Sequence, residues 1–312
     1  MTRKIFLIGA LFLCLSAFCY GREGTIAVTK GPLSLPFLPF LSESSQVKAH
    51  IVNDGEQALR SLLSKECEYA VFPIDAGYHI FQSTNGQIMC VALAGNSNFY
   101  FVSSNQNLKG TSNLLGAKVF CAKDSLSVDF FKNILSKKKI SLDKTKNGVQ
   151  IVPVPSEPDL VNGFLNNTYQ NVVVSYPAYL ALCRKSLSIR STIDLQKEYS
   201  AIVGKNIEIP ISVIMVRKEF AVENPEIHER IMENLSENYL NSKNFQENQD
   251  LTSHSIPFFK VFQLGFNYDQ AFEFLKNNCY QFARSSEAKK LMDESLMIFT
   301  VNKSVDQSFY LD

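Results

Sequence analysis

The chain has 312 residues, 46% hydrophobic and 20% charged, with a net charge of +1. On the usual ~150 residues per domain it is long enough for two domains with sizeable cores. The near-neutral balance has no large charge block, which argues against a general nucleic-acid footprint.

In chain order, the first element differs in kind from the rest. Arg3 and Lys4 precede an apolar stretch from Ile5 to Phe18, and Gly21-Arg22-Glu23 is polar. This is the pattern of a secretory signal peptide over residues 1–21. The stretch is shorter than the ~20 residues a spanning helix needs. Leu15-Ser16-Ala17-Phe18-Cys19 resembles a lipoprotein box, with Phe18 where a small residue normally stands. Lipidation of Cys19 and plain cleavage near Ala17 to Gly21 both remain open. Of seven cysteines, two lie in this leader, and the other five show no CxxC or zinc-type spacing. Cys90 and Cys121 sit in apolar runs and are expected to be buried.

Gly24 to Thr29 reads as a buried strand, followed by a proline-bearing loop, Lys30 to Phe37. Gln46 to Val52 is the second strand. Asp54 is placed to cap a helix over Gly55 to Lys65, whose apolar face is Ala58, Leu59, Leu62 and Leu63. Tyr69 to Phe72 is the third strand, with a helix over Ala76 to Gln82. Strands follow over Gln87 to Ala94 and Phe99 to Val102, and polarity then rises from Ser103 to Ser112, a candidate boundary. Val119 to Cys121 leads into a helix through Val128, Phe131, Ile134 and Leu135. Lys137-Lys138-Lys139 ends it, where cations suit the helix dipole, and reads as a solvated end. Gln150 to Val154 and Val172 to Val174 are strands around a further helix, and Pro177 to Arg184 is the next helix. Ile207 to Val216 is a long apolar strand with Pro210 inside it. Asn224-Pro225-Glu226 opens a helix. The remainder to Asp312 is helical and loop-like, with a Phe- and Leu-rich stretch, Phe258 to Phe282, expected to pack back on the first lobe.

One pattern occurs twice at a constant offset. GEQALRSLLSKECEYAVFPIDA, from Gly55 to Ala76, is echoed by LVNGFLNNTYQNVVVSYPA, from Leu160 to Ala178. Leu62-Leu63 falls on Phe164-Leu165, Val71 on Val173 and Ala76 on Ala178. The spacing is too long for a solenoid and suggests two related α/β lobes. Alternating strands and helices imply parallel-type sheets covered on both faces. The expected layout is lobe I over 24–104 and 209–312, and lobe II over 105–208. The hinges would lie near Ser103–Asn105 and Glu208–Ile211, with a cleft at the carboxyl ends of the strands.

The catalytic inventory is nearly empty. His50, His79, His228 and His254 form no HExxH, and there is no GxGxxG, phosphate loop or GxSxG. No catalytic residue, metal ligand or cofactor is therefore assigned. Polar and aromatic residues at strand ends remain as ligand candidates: Ser34, Phe37, Asp75, Asn98, Tyr100, Ser125, Ser127 and Tyr176. Asp75 can accept from a ligand amine or ring N–H, or simply cap a helix. Ser125 and Ser127 stand where a helix N-terminus offers N–H groups to an anion. Tyr176, the echo of Ile74, can cover a ring or merely pack.

Five segments, TIAVTKGPLSLPF, EQALRSLLSKECEYAVFPIDA, NLLGAKVFCAKDSLSVDFF, SYPAYLA and SVIMVRKEFAVENPEIHERIMENL, resemble the type II periplasmic solute-binding proteins of ABC importers. They are most similar to the group for nitrate, sulfonates, taurine and thiamine precursors. Asn105-Gln106-Asn107 lacks the acidic lead usual there. The resemblance implies two Rossmann-like lobes joined by a double-crossover hinge, a small organic ligand, an ABC permease as partner, a monomer outside the cytoplasmic membrane, and no catalysis. Pyrimidine synthases and chorismate-dehydratase-type enzymes share the scaffold. The chain lacks the Cys-rich motif and His of the former, and its leader argues against the latter. An exported sensor or interaction protein is the third class.

Overall fold

The computed structural model describes residues 24–30, 37, 47–95, 99–104, 108–123, 125–143, 148–206, 209–243, 282–299 and 306–311. Residues 1–23 with Cys19, the stretch 244–281, and the candidates Ser34 and Asn98 lie outside them.

Strands β1 (Gly24–Thr29), β2 (Val47–Val52), β3 (Tyr69–Pro73) and β4 (Ile88–Ala94) belong to one sheet, with helix α1 (Gly55–Leu63) before β3 and α2 (Ile74–Ser83) after it. Asp54 caps α1 as expected, its carboxylate accepting from the Gln57 N–H at 2.8 Å. The chain then passes to a second sheet. This holds β5 (Phe99–Ser103), β6 (Lys118–Ala122), β7 (Gln150–Val154), β8 (Asn171–Ser175) and β9 (Ser191–Asp194). Four helices cover it: α3 (Leu126–Lys137), α4 (Glu157–Leu165), α5 (Tyr176–Lys185) and α6 (Leu195–Val203). β10 (Ser212–Arg217) returns to the first sheet. After it come α7 (Lys218–Glu223), α8 (Pro225–Lys243), β11 (Phe282–Ala283) and α9 (Ser285–Phe299).

The sheet orders are β11-β4-β10-β3-β1-β2 and β7-β6-β8-β5-β9. Each combines a parallel trio with antiparallel strands. β1 pairs β2 and β3 in parallel, as β6 pairs β7 and β8, whereas β10 and β5 run antiparallel to their neighbours. β10 and β5 are the strands that follow the two crossings, and each enters its sheet beside the third strand of the parallel trio. The sequence echo therefore has a structural counterpart. α1-β3-α2 and α4-β8-α5 occupy the same place in their sheets, and Ile74 and Tyr176 are each the buried first residue of a helix.

The first crossing falls between Ala94 and Phe99, ahead of the Ser103–Asn105 position read from polarity. β5 is apolar and pairs β8 and β9, so it belongs to the second sheet, and the polar stretch after it is a loop within that lobe. The second crossing lies between Val203 and Ser212. The expected strand over Ile207 to Val216 starts only at Ser212, because Pro210 has no N–H for a ladder. Ile211 donates its N–H to the Gly95 carbonyl at 2.9 Å and accepts from the Ile74 N–H at 2.9 Å. The two crossing segments are thus tied to each other and to the start of α2.

Both sheets are covered on both faces. Ala27, Ala70, Phe72, Val213 and Met215 pack in one cluster with α1 and α2, while Ile26, Val28, Val71, Ile214 and Val216 pack with α8 through Ile231, Met232 and Leu235. In the second sheet, Val172 and Val174 face α4 and α5, and Val119, Cys121 and Val173 face α3 and α6. α9 does not belong to one lobe alone. It packs on β4 and α2 of the first and on α3 of the second, with Phe299 and Phe130 ring centroids 6.3 Å apart. The lysine run is also less solvated than expected. Lys138 pairs with the Glu198 carboxylate, which accepts from the Thr111 N–H at 3.0 Å and hydroxyl at 2.7 Å. Cys67, Cys90 and Cys121 are buried and Cys183 is exposed. Among the described residues, no helix is long and apolar enough to cross a membrane.

Candidate functional site

The carboxyl ends of β1, β3 and β4 and the start of antiparallel β10 form one edge of the first sheet. In the second sheet the matching edge holds the ends of β6, β7 and β8 and the start of β5, where Phe99 pairs with Ser175 and Tyr100 with Val174. The crossings join these two edges, so strand ends from both lobes face one place.

Aromatic side chains fill much of it. Tyr176 begins α5 and is 5% exposed, and it shares one contiguous buried cluster with Phe37, Val28 and Ala94 of the first lobe. Tyr100 lies beside it, ring centroids 5.7 Å apart, and stacks on Tyr179 at 4.2 Å and 11°. Burial, together with the Cys183 thiol beside it, pushes the Tyr179 hydroxyl up to about 12. That hydroxyl stays a neutral donor at physiological pH.

Glu157 sets the position of this aromatic group. It opens α4, yet its carboxylate reaches across to Ser175, the residue before α5, accepting the N–H at 2.6 Å and the hydroxyl at 2.7 Å. It thereby satisfies donors at the start of the helix that carries Tyr176 and Tyr179. Burial pushes its carboxyl above the usual range, and the two Ser175 hydrogen bonds offset only part of that.

The other predicted residues are placed as follows. Phe37 is fully buried in the cluster just described. Asp75 is exposed in the first turn of α2, where its charge suits the helix dipole. Ser125 precedes α3, but its hydroxyl donates to the Ala122 carbonyl at 2.8 Å and lies 3.0 Å from the buried Ser127 hydroxyl. The two serine hydroxyls are within hydrogen-bond reach of each other. Phe37, Tyr100 and Tyr176 are brought together in one cluster, and the serine pair and Asp75 follow the ends of β6 and β3. Glu157, Tyr179 and Ser212 were not singled out in the sequence. His228 is a satisfied side chain, its Nδ1 2.6 Å from the Tyr69 hydroxyl.

Comparison with known proteins was uneven. No protein-family model matches the chain, and no curated protein matches it significantly. Solved structures do. An ABC transporter protein from Parabacteroides distasonis superposes with a TM-score of 0.72 at 13% identity, covering 94% of this chain and 99% of that one. The periplasmic aliphatic sulphonate binding protein SsuA from Escherichia coli gives 0.66 at 15% identity, over 91% and 90% of the two chains. The alkanesulfonate-binding protein SsuA from Xanthomonas axonopodis pv. citri, bound to MOPS, gives 0.63 at 13%, over 93% and 98%. The fold is that of a type II periplasmic binding protein. On that fold the aromatic cluster of Phe37, Tyr100 and Tyr176 lies where the two lobes meet.

Two further grooves lie at the opposite end of the first lobe of this periplasmic-binding-protein fold. One, of about 620 Å³, is lined by Leu62, Lys65, Asn85, Ile88, Arg217 and Val222 among others. Its neighbour, of about 750 Å³, includes Phe81, Met89, Lys218 and Tyr310. Both sit where β4 begins and β10 ends, away from the strand ends that face the second lobe.

Proposed function

We propose that the chain is the extracytoplasmic solute-binding component of an ABC importer, capturing a small organic solute between its lobes and handing it to a permease. The observation that carries this reading is a buried cluster joining Phe37 of the first lobe to Tyr176 of the second, at converging strand ends and beside a hydrogen-bonded double crossing. The similarity in fold to SsuA proteins and to an ABC transporter protein supports it, as does the leader pattern of residues 1–21. A monomer fits the role, because one chain supplies both walls of the cleft.

The energetics suit binding without a covalent step. A micromolar ligand supplies about 8 kcal/mol. Shifting closure from 1:99 to 99:1 uses ~5.5 kcal/mol of preference for the closed form. Aromatic surface and a few hydrogen bonds are enough to provide that difference. The solute is expected among sulfonates, thiamine-precursor pyrimidines and similar small organic compounds. The test is a thermal-shift screen of the mature chain against sulfonates, pyrimidines, flavins and short acids. One class should stabilise it saturably, and Tyr176→Ala should abolish the shift. Turnover of a compound by the isolated chain would instead favour an enzyme on this fold.

A further inference from the structure

Ser212 opens β10 and is completely buried, yet its hydroxyl has no hydrogen-bond partner among the described residues. Buried hydroxyls are almost always paired, because an unpaired one forfeits its hydration without return. The direction of the side chain follows from its strand. Val213 and Met215 join the cluster under α1 and α2, whereas Ile214 and Val216 join the one that holds Phe37 and Tyr176. Successive side chains alternate, so Ser212 faces with Ile214. Along the strand it stands at the cleft end. Its register partner is Pro73, the last residue of β3, and the preceding Ile211 is tied to Gly95 and Ile74. The orphan hydroxyl thus lies at the junction of the lobes, on the face that carries the aromatic group.

A charged headgroup brought to that face would lose its hydration beside apolar and aromatic side chains such as Val28, Ala94 and Phe37. An uncharged hydrogen-bonding atom loses far less, and a hydroxyl can either donate to it or accept from it. Resting on the solute-binding reading above, we propose that Ser212 is the buried hydrogen-bond partner of the ligand and selects neutral heterocyclic or amide solutes over sulfonates.

The experiment is titration calorimetry of the wild type, Ser212→Ala and Ser212→Val with 4-amino-2-methylpyrimidine, nicotinamide and MOPS, alongside the melting temperature of each ligand-free protein. A neutral probe should bind the wild type, and Ser212→Ala should weaken it roughly tenfold, the loss of about one hydrogen bond. The ligand-free melting temperature of Ser212→Ala should stay level or rise, since no protein partner is lost. A drop of several degrees in ligand-free Ser212→Ala would reveal a protein partner and overturn the proposal. So would equal affinity of a neutral probe for wild type and variant. MOPS binding the wild type more tightly than either neutral probe would sink the Ser212 assignment while leaving the solute-binding reading intact. If none of the three probes binds the wild type, the neutral-solute assignment falls, and the wider thermal-shift screen alone judges the solute-binding reading.

Discussion

Gly77 shows how closely the first lobe is fitted around its crossing strand. A Cβ at this position would lie 2.4 Å from Val213 Cγ2, so α2 can press onto β10 only where no side chain intervenes. Gly77→Ala gains up to about 1 kcal/mol of helix propensity. The clash should outweigh it and leave the variant about 1–3 kcal/mol less stable, read from urea unfolding midpoints. Glu157 is the second residue with a clear prediction. Burial holds its folded pKa above the ordinary 4.5, so the native state holds this proton more tightly than the unfolded chain does. The contribution to stability is therefore complete below pH 4.5 and fades as pH rises through the folded value. Glu157→Gln should flatten that part of the pH–stability curve, measured by denaturant unfolding from pH 4 to 8. Phe37 and Tyr176 could be singled out as candidates in the sequence because an aromatic at a strand–helix junction is conspicuous. Ser212 was not, since one hydroxyl at the head of an apolar run looks like any other. Only the structure reveals that it is buried and unpaired.

At the level of elements, local signals located the strands and helices well wherever capping residues and periodicity agreed. The α1 cap at Asp54 and the Pro225 opening of α8 are examples. β9 and α6 were missed, although Asp194 before the helix and Gly204 after it, at φ 72, are ordinary start and stop signals. β9 has only four residues, too few for an alternation to stand out. Assignment of β5 to a lobe was not legible, because local polarity marks a loop but does not say which sheet an apolar strand joins. The Lys138–Glu198 pair was missed for a related reason, since its partners are distant in sequence and meet only through the fold. Burial alone would raise the Glu198 carboxyl. The hydrogen bonds from Lys138 and Thr111 overcome that and hold it below the usual range. The stability it contributes is present above pH 4.5 and lost as pH falls through the folded value. Glu198→Ala strands the Thr111 N–H and the Lys138 ammonium, and should cost roughly 2–4 kcal/mol in thermal or chemical unfolding.

At the scale of the whole molecule, two sheets of the same plan are joined by a double crossing and strapped by α9. The strap has consequences for closure. Phe299 and Phe130 are both buried where α9 meets α3, so a hinge between the lobes must carry or slide this contact. Phe299→Ala should lower stability by about 3 kcal/mol and loosen the second lobe relative to the first, visible as a larger radius of gyration in solution scattering. The architecture as a pair of α/β lobes was readable from the repeated helix–strand unit. The convergence of Phe37, Tyr100 and Tyr176 was not, because it depends on where the chain crosses. The most direct measurement of the central claim is amide hydrogen exchange, with and without the compound that gives the largest thermal shift. The account predicts protection confined to both walls of the cleft, at residues 73–77 and 211–213 in one lobe and 175–180 in the other. Protection in one lobe alone, or at the far grooves around residues 62–65 and 217–223, would contradict it.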